Sequence, residues 1–222
     1  NFWAMSEQRQ VFSFDTINHF DHHISASIRG YQVLDDLLIN IASFFLKEGV
    51  CPVDIGCTSG RLLGRLNQVY ECGGKGFDIT SANFIPLRGV DLMVQDISEP
   101  DFSLPSTNIV FSVFTLQFIQ QPKRVEVLRK AFDALWQNGV LVVCEKESTE
   151  DAFLQEVFTF SNYDNKRTGF TEKEILDKEA DLRKMMNCNT GPQNVEMIMR
   201  AGFKKPEIFF KSLGFTGYLC RK

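Results

Sequence analysis

The chain has no long apolar stretch. No segment approaches the roughly 20 consecutive apolar residues that a membrane-spanning helix needs, and the N-terminus lacks the charged start and apolar core of a signal peptide. Neither a membrane protein nor an exported one is expected, and we predict a cytoplasmic protein. The first four residues, NFWA, precede a Met5 that reads as a native start, so we interpret them as an added leader.

Residues that commonly bind metals are sparse. The six cysteines are scattered and contain no C-x-x-C pair, which is typical of reduced thiols. The three histidines, His19, His22 and His23, have a spacing that fits one face of a helix, but no fourth ligand accompanies them. No metal site is therefore predicted.

Positive charge is limited as well. Lys and Arg number 24 against 28 Asp and Glu, which gives a formal net charge of −4, and no long basic run occurs. Because proteins that grip nucleic acid usually present a basic surface, direct nucleic-acid binding is not expected. A small-molecule acceptor is favoured instead.

Short apolar runs alternate with amphipathic helical patterns along most of the 222 residues. This alternation predicts a single α/β domain over residues 1–222, a three-layer sandwich around a Rossmann-like sheet of seven strands. The sheet should be mostly parallel and end in an antiparallel C-terminal strand. Residues 5–48 are predicted to form an N-terminal helical lid, and residues 152–190 a helical insertion near the acceptor site.

Three details of this prediction concern boundaries. The pattern predicts one amphipathic helix that starts near Tyr31 and stops at Gly49. Another helix is expected to continue through Trp136 and to stop in the sequence QNG that follows. Between Asp78 and Asp96, the little room and the breakers present predict a short or irregular helix.

The segment VDIGCTSG places Gly56 and Gly60 between the first predicted strand and its helix. Glycines at such a turn allow the backbone to approach a cofactor closely. A dinucleotide fingerprint starting at Gly56 would require glycine where Thr58 and Arg61 stand, so nicotinamide and flavin cofactors are not favoured.

Three acids end three successive predicted strands: Asp54, Asp78 and Asp96. Carboxylates there can hold an ammonium group, both hydroxyls of a ribose and an adenine amino group, a set that suits S-adenosylmethionine (SAM). The next residues, Ile79 and Ile97, and Val113 in a later predicted strand are also predicted to contact the cofactor. The alternative is that each Asp merely caps a helix.

Seven segments together resemble the carboxy-S-adenosylmethionine synthase family, a branch of the class I SAM-dependent methyltransferases, over residues 14–218. They are FSFD, FDHHISASIRGY, DIGCTSG, FTLQFI, VLVVCEKES, KRTGFTEKEI and RAGF. The resemblance implies a homodimer in which a neighbouring chain helps to close the site. It also implies that Tyr31 contacts the methionine end of the cofactor, that Gly56, Cys57 and Thr58 line it, and that the cofactor's ribose and adenine lie at Asp78 and Asp96.

The resemblance further implies conversion of SAM and prephenate into carboxy-SAM, which a partner enzyme uses to modify a tRNA wobble uridine. Two positions differ from the family pattern. Glu179 stands where the family has an arginine that holds the carboxylate of carboxy-SAM, and Val113 replaces an asparagine. A glutamate there would repel an anion, and valine offers no hydrogen bond.

The sequence therefore favours a SAM-dependent methyltransferase acting on a small molecule, with SAM, S-adenosylhomocysteine or carboxy-SAM as the bound cofactor. A carboxy-SAM synthase and a SAM-binding protein without catalysis stay open as alternatives. No catalytic base is identified.

The candidates for the acceptor site are mostly basic. Lys166 and Arg167 could meet an anionic acceptor or form an ordinary surface loop, and Lys178 or Arg183 could replace the family's arginine. The segment from Glu145 to Glu147 follows a buried strand and could supply a general base or simply be a solvated strand end.

Overall fold

The computed structural model describes residues 20–222. Its seven strands form one sheet in the order β3-β2-β1-β4-β5-β7-β6. The strands are β1 (Val53–Ile55), β2 (Gly74–Asp78), β3 (Val90–Val94), β4 (Thr107–Val113), β5 (Leu135–Lys146), β6 (Glu207–Ser212) and β7 (Phe215–Arg221). Strands β1 to β5 pair in parallel, and β7 lies antiparallel between β5 and β6. The predicted fold class is confirmed.

Seven α-helices accompany the sheet in the described part of the chain. They are α1 (Phe20–Ser27), α2 (Tyr31–Ala42), α3 (Arg61–Tyr70), α4 (Gln121–Ala134), α5 (Ala152–Lys166), α6 (Glu172–Met185) and α7 (Gly191–Arg200). Within residues 20–222, no helix combines the length and the apolar character that crossing a membrane requires.

The core has two layers because alternate side chains of a strand point to opposite faces of the sheet. In β4, Phe111 packs into a cluster with Leu34 of α2 and Leu63 of α3. Its neighbour Val110 packs into the second cluster, with residues of α4 and α7 such as Leu128. Helices thus cover both faces of the sheet and leave the carboxyl ends of the parallel strands open for a ligand.

Two predicted helix ends are wrong. Helix α2 ends at Ala42, seven residues before Gly49, because the next amides bond in tighter turns: the N–H of Phe45 donates to the carbonyl of Ala42 at 2.9 Å. Helix α4 ends at Ala134 rather than near QNG. There Leu135 already pairs with Thr107 of β4, so Trp136 and the residues after it belong to a strand.

The helix predicted between β2 and β3 is also absent. Residues 79–89 form turns without an α-helix. Pro86 lacks an N–H to donate, and Gly89 has a φ of 74°, which an α-helix does not contain. Ile79 and Ile85 of this connection are consequently exposed.

Candidate functional site

A cavity of about 890 Å³ opens at the carboxyl ends of β1, β2 and β4. Its size lies within the range of small-molecule sites, roughly 300–1,000 Å³. Ser27 of α1, Tyr31 of α2 and Ile28 between these helices line its wall, and α6 contributes Lys178 and Leu182.

All but one of the predicted cofactor residues line this cavity: Tyr31, Asp54, Gly56, Cys57, Thr58, Asp78, Ile79, Asp96, Ile97 and Val113. Gly60 does not. It is buried behind the wall, where an added Cβ would come within 2.8 Å of the Leu92 side chain. The absence of a side chain at Gly60 therefore allows α3 to pack closely on β3, so this glycine serves packing and does not contact the cavity.

Contacts with Thr115 and hydrogen bonds to β2 hold the glycine turn in place. Gly56 has a φ of 72°, and a Cβ there would collide with Thr115, whose hydroxyl donates to the carbonyl of Ile55 at 3.0 Å. The N–H groups of Gly56 and Cys57 both donate to the carbonyl of Phe77, at 2.7 and 3.1 Å. The turn is thus held against β2 and presents its backbone to the cavity.

Asp78 and Asp96 each bind backbone close to their own strand end. Asp78 accepts hydrogen bonds from the N–H of Thr58 at 2.9 Å and of Thr80 at 3.3 Å. Asp96 accepts one from the N–H of Ser98 at 2.8 Å. Burial opposes the charged form of Asp96, but hydrogen bonds from Ser98 and the charge of Lys123 together lower its pKa.

The capping alternative is not realised for these acids. In the part of the chain that the structure describes, helices α2 to α7 have other N-cap residues: Gly30, Gly60, Gln120, Asp151, Thr171 and Thr190. The three strand-end carboxylates therefore face the cavity without serving an α-helix.

Asp54 is the least satisfied of the three. It is buried, and its Oδ1 has no hydrogen-bond partner among the residues that the structure describes. Burial and then the charge of Asp78 raise its pKa to about 8, while Arg61 acts in the opposite direction. Because a buried carboxylate without a partner is costly, this atom fits the positively charged group of a ligand.

The sequence prediction missed a charged network beside Tyr31. The guanidinium of Arg61 donates to the two carboxylate oxygens of Asp35 at 2.8 and 2.7 Å and to the Tyr31 hydroxyl at 2.8 Å. Asp35, which also pairs with Arg65, is buried. These contacts join the first turn of α2 to the first turn of α3 at the cavity wall.

A second charged cluster lies on another part of the cavity wall, which we call the basic end. Lys146, Lys166, Lys178 and Glu179 line this end. Glu179 pairs with Lys166 at 2.5 Å and lies 3.7 Å from Lys146. Burial opposes its ionisation, but these two lysines dominate and lower its pKa. The glutamate that was expected to repel an anion is therefore compensated by its neighbours.

Lys178 is partly buried in the same cluster. Its ammonium group donates to the Ser27 hydroxyl of α1 at 3.0 Å. Burial, followed by the charge of Lys166, lowers its pKa to about 7. The lysines outnumber the single carboxylate on this part of the wall, so it favours an anionic group.

Two predicted acceptor residues do not reach the wall. Arg167 is exposed and pairs with Asp164 at 2.7 Å and Glu172 at 3.2 Å. Arg183 is 59% exposed in its side chain and lies 3.8 Å from Glu179, outside the cavity. The surface-loop interpretation is correct for Arg167. Arg183 does not line the cavity, and its charge reaches the site only through Glu179.

The segment from Glu145 to Glu147, at the end of β5, divides between the cavity and the core: Lys146 lines the cavity and the two glutamates do not. Glu145 is buried and accepts from the N–H groups of Leu116 at 2.9 Å and Gln117 at 2.8 Å. Glu147 is also buried and accepts from Asn194 at 3.1 Å and Lys211 at 2.8 Å. Both carboxylates thus stabilise the fold.

The three histidines lie around residue 20, where the described part of the chain begins. His19 lies outside the described residues. His22 and His23 lie in α1, but their side-chain placement is likewise outside the description.

Comparison with known proteins gives one recurring name. No family model matches the chain. The carboxy-S-adenosyl-L-methionine synthase of Wolinella succinogenes is 30% identical over 97% of this chain and 95% of its own length. The enzyme of the same name from Staphylococcus epidermidis is 27% identical over 95% of each chain.

Solved structures share the fold. Human N-acetylserotonin methyltransferase in complex with SAM superposes with a TM-score of 0.56 at 17% identity, over 78% of this chain and 47% of the human one. The SAM-dependent methyltransferase SibL, in its apo form, gives 0.57 at 16% identity, over 86% and 55%. The chain spans about half of these longer proteins, and the likeness establishes the fold alone.

Proposed function

Because the chain belongs to the carboxy-S-adenosyl-L-methionine synthase family, we propose that it is a SAM-dependent transferase acting on an anionic small molecule. The observation that carries the proposal is Asp54, a buried carboxylate with an unpartnered oxygen on a cavity wall that also includes Asp78 and Asp96. SAM is a cation with an amino group, a ribose and an adenine, so it matches this set of acids.

We assign each acid one part of the cofactor. Asp54 would bind the ammonium group, Asp78 the ribose hydroxyls, and Asp96, with Ile97, the adenine. Asp78 can serve both the backbone of Thr58 and a ribose, because each carboxylate oxygen accepts more than one hydrogen bond. When bound, SAM supplies an activated methyl group, so this chain needs little acid-base machinery.

The acceptor would lie at the end of the cavity formed by Lys146, Lys166 and Lys178. Ammonium groups at this position can hold a carboxylate or phosphate by charge-assisted hydrogen bonds. The residues that orient the acceptor and exclude water would supply most of the rate enhancement. Methyl transfer to an anionic small molecule is the reaction we favour, since Glu179 and Val113 replace the arginine and asparagine of the family pattern.

Carboxy-SAM synthesis from SAM and prephenate is the second candidate. It is favoured by the pairing of Glu179 with Lys166 and Lys146, which removes the repulsion that the sequence suggested. In that case the product would pass, in the cytoplasm, to a partner enzyme that modifies a tRNA wobble uridine.

Mass spectrometry distinguishes these reactions. The purified protein is denatured to identify any bound cofactor, and it is then incubated with SAM, with and without prephenate. We expect SAM or S-adenosylhomocysteine to be released, and carboxy-SAM to form only if the second candidate is right. An Asp78→Ala variant provides the control for binding at this site.

Two outcomes would argue against a transferase. Tight binding of SAM without turnover of any anionic acceptor would support a binding protein without catalysis. Failure to bind SAM or S-adenosylhomocysteine at all would reject the proposed function.

We also propose that the chain forms a homodimer through α5. This helix exposes Phe153, Val157 and Phe160 at positions i, i+4 and i+7, so their side chains lie along one face, and Leu154 beside them is exposed too. Large exposed apolar patches commonly mark interfaces. Light scattering should give the mass of a dimer, and a Phe153→Ser/Phe160→Ser variant should give that of a monomer; a monomeric unmodified chain would reject the proposal.

The segments over residues 5–48 and 152–190 are proposed to close over the bound cofactor. Their described parts contribute Ser27, Tyr31, Lys166 and Lys178 to the cavity wall, which supports this role. Hydrogen exchange in α1 and α6 should slow when S-adenosylhomocysteine binds. Unchanged exchange at ligand saturation would show that neither segment is a lid.

A further inference from the structure

We propose that Arg61 and Asp54 recognise the α-amino acid group of the cofactor, with Arg61 holding its carboxylate and Asp54 its ammonium. This inference rests on the proposed function and specifies how one end of SAM is selected. It assigns a binding role to an arginine that the strand and glycine patterns did not single out.

The position of Arg61 provides the first argument. It is the first residue of α3 and directly follows the glycine turn, and it lines the cavity together with Gly56 and Thr58. Its side chain is only partly exposed, at 22%. A guanidinium in such a partly desolvated wall binds a carboxylate more strongly than one in bulk water.

The contacts of Arg61 hold the guanidinium in a fixed orientation. Asp35 receives hydrogen bonds from both terminal nitrogens of the group, and the Tyr31 hydroxyl receives a third from one of them. Arg65 also pairs with Asp35, so Arg61 is not the sole partner of that buried charge. Asp36 pairs with Arg65 at 3.1 Å but is exposed. Little reorganisation is then needed when a ligand carboxylate arrives.

Asp54, once ionised, provides the opposite charge nearby. Its unpartnered oxygen needs a cation, and Arg61 is near enough to favour the ionised carboxylate electrostatically. An α-amino acid carries an ammonium and a carboxylate on one carbon atom. A wall with one buried acid and one oriented guanidinium therefore matches a zwitterion, whereas a nucleoside alone would leave both charges unused.

The test compares ligands that differ only at this end. SAM and decarboxylated SAM differ by the carboxylate, and 5′-methylthioadenosine lacks the whole amino acid group. Binding to the full chain is measured by calorimetry for the unmodified protein, Arg61→Met and Arg61→Lys. Arg65→Met is the matched control, because Arg65 pairs with the same Asp35 but does not line the cavity.

We expect Arg61→Met to lower the affinity for SAM roughly 10- to 100-fold, the range for the loss of a hydrogen bond to a charged group. Decarboxylated SAM and 5′-methylthioadenosine should bind nearly as before. Arg61→Lys should recover part of the loss, and Arg65→Met should leave the preference for SAM over decarboxylated SAM intact. Circular dichroism at the binding temperature confirms that each variant is folded.

Two results would overturn the inference. In the first, Arg61→Met keeps the full preference for SAM over decarboxylated SAM. In the second, it weakens the binding of all three ligands equally, which would indicate a purely structural role. Failure of the proposed function has a different signature, because the unmodified protein would then bind none of the three ligands.

Discussion

The two ends of the cavity differ in charge and in the elements that form them. The end near β1 and β2 carries Asp54 and Asp78 on strand ends next to a glycine turn. The basic end carries Lys166 and Lys178 on helices α5 and α6, together with Lys146 at the last position of β5. The first suits a cation and the second an anion, so a cationic cofactor and an anionic acceptor would be drawn to different ends of one cavity.

The difference also separates what is common to the fold from what is particular to this chain. Strand ends are held by the hydrogen bonds of the sheet, which is buried and rigid. Helices α5 and α6, which carry Lys166 and Lys178, lie outside the sheet, so residues on them can change without disturbing it. Substitutions at the acidic end should therefore change the Kd for SAM, and those at the basic end should change kcat/KM for the acceptor.

The largest effect is expected at the acidic end. Asp78→Ala should raise the Kd for SAM on the order of a hundredfold, because two charge-assisted hydrogen bonds to the ribose would be lost. Asp91→Ala is the control, since Asp91 lies on the adjacent strand but is exposed. Calorimetry that finds equal SAM affinity in both variants would show that the ribose lies elsewhere.

A smaller effect is expected at the basic end. Lys178→Met should lower kcat/KM for the acceptor roughly 10- to 30-fold, through one lost charge-assisted hydrogen bond. The Kd for SAM should stay the same. Lys173→Met is the matched control on the same helix, because Lys173 is exposed and pairs with Asp177. A rise in the SAM Kd of Lys178→Met would contradict the division of the cavity into two ends.

The pH dependence of binding should distinguish the ends as well. With its pKa at about 8, Asp54 is mostly protonated at pH 7 and must lose a proton to bind an ammonium group. SAM affinity should therefore rise roughly fivefold from pH 7 to pH 8, with proton uptake by the buffer. Asp54→Asn should bind more weakly and without this dependence; a flat profile in the unmodified protein would assign the ammonium to another group.

The smallest effect concerns the support of the basic end. Thr171 caps α6, and its side chain and that of Glu174 bond each other's backbone in a capping box. Thr171→Ala should lower the free energy of unfolding by about 1 kcal/mol. Urea denaturation measures this change, and SAM affinity should not follow it. A parallel loss of SAM affinity would mean that the helix supports both ends.

The sequence was sufficient for the acidic end because its features are local. A short apolar run, an acid and a glycine turn occupy consecutive positions from Val53 to Gly60, and each predicts its own conformation. The same holds for the C-terminal hairpin, where aromatic runs flank Leu213 and Gly214. Local patterns failed at the end of α4, where pairing of Leu135 with Thr107 overrides the turn chemistry of QNG.

The sequence was insufficient for contacts between distant segments. Arg61 and Asp35 meet only because α2 and α3 pack side by side, and no periodicity reveals such a pair. Glu179 was expected to repel an anion because it stands in place of the family's arginine, but Lys146 and Lys166 reach it from β5 and α5. The charge of a site depends on all the elements that converge there.

The hydrogen bond between Lys178 and Ser27 links acceptor binding to the packing of α1. An anion that draws the Lys178 ammonium toward itself competes with the Ser27 hydroxyl, which connects α6 to α1. Arrival of the acceptor would thereby loosen one of the contacts that hold α1, and departure of the product would restore it. Binding of the acceptor and the contact between α6 and α1 would then be linked through a single lysine.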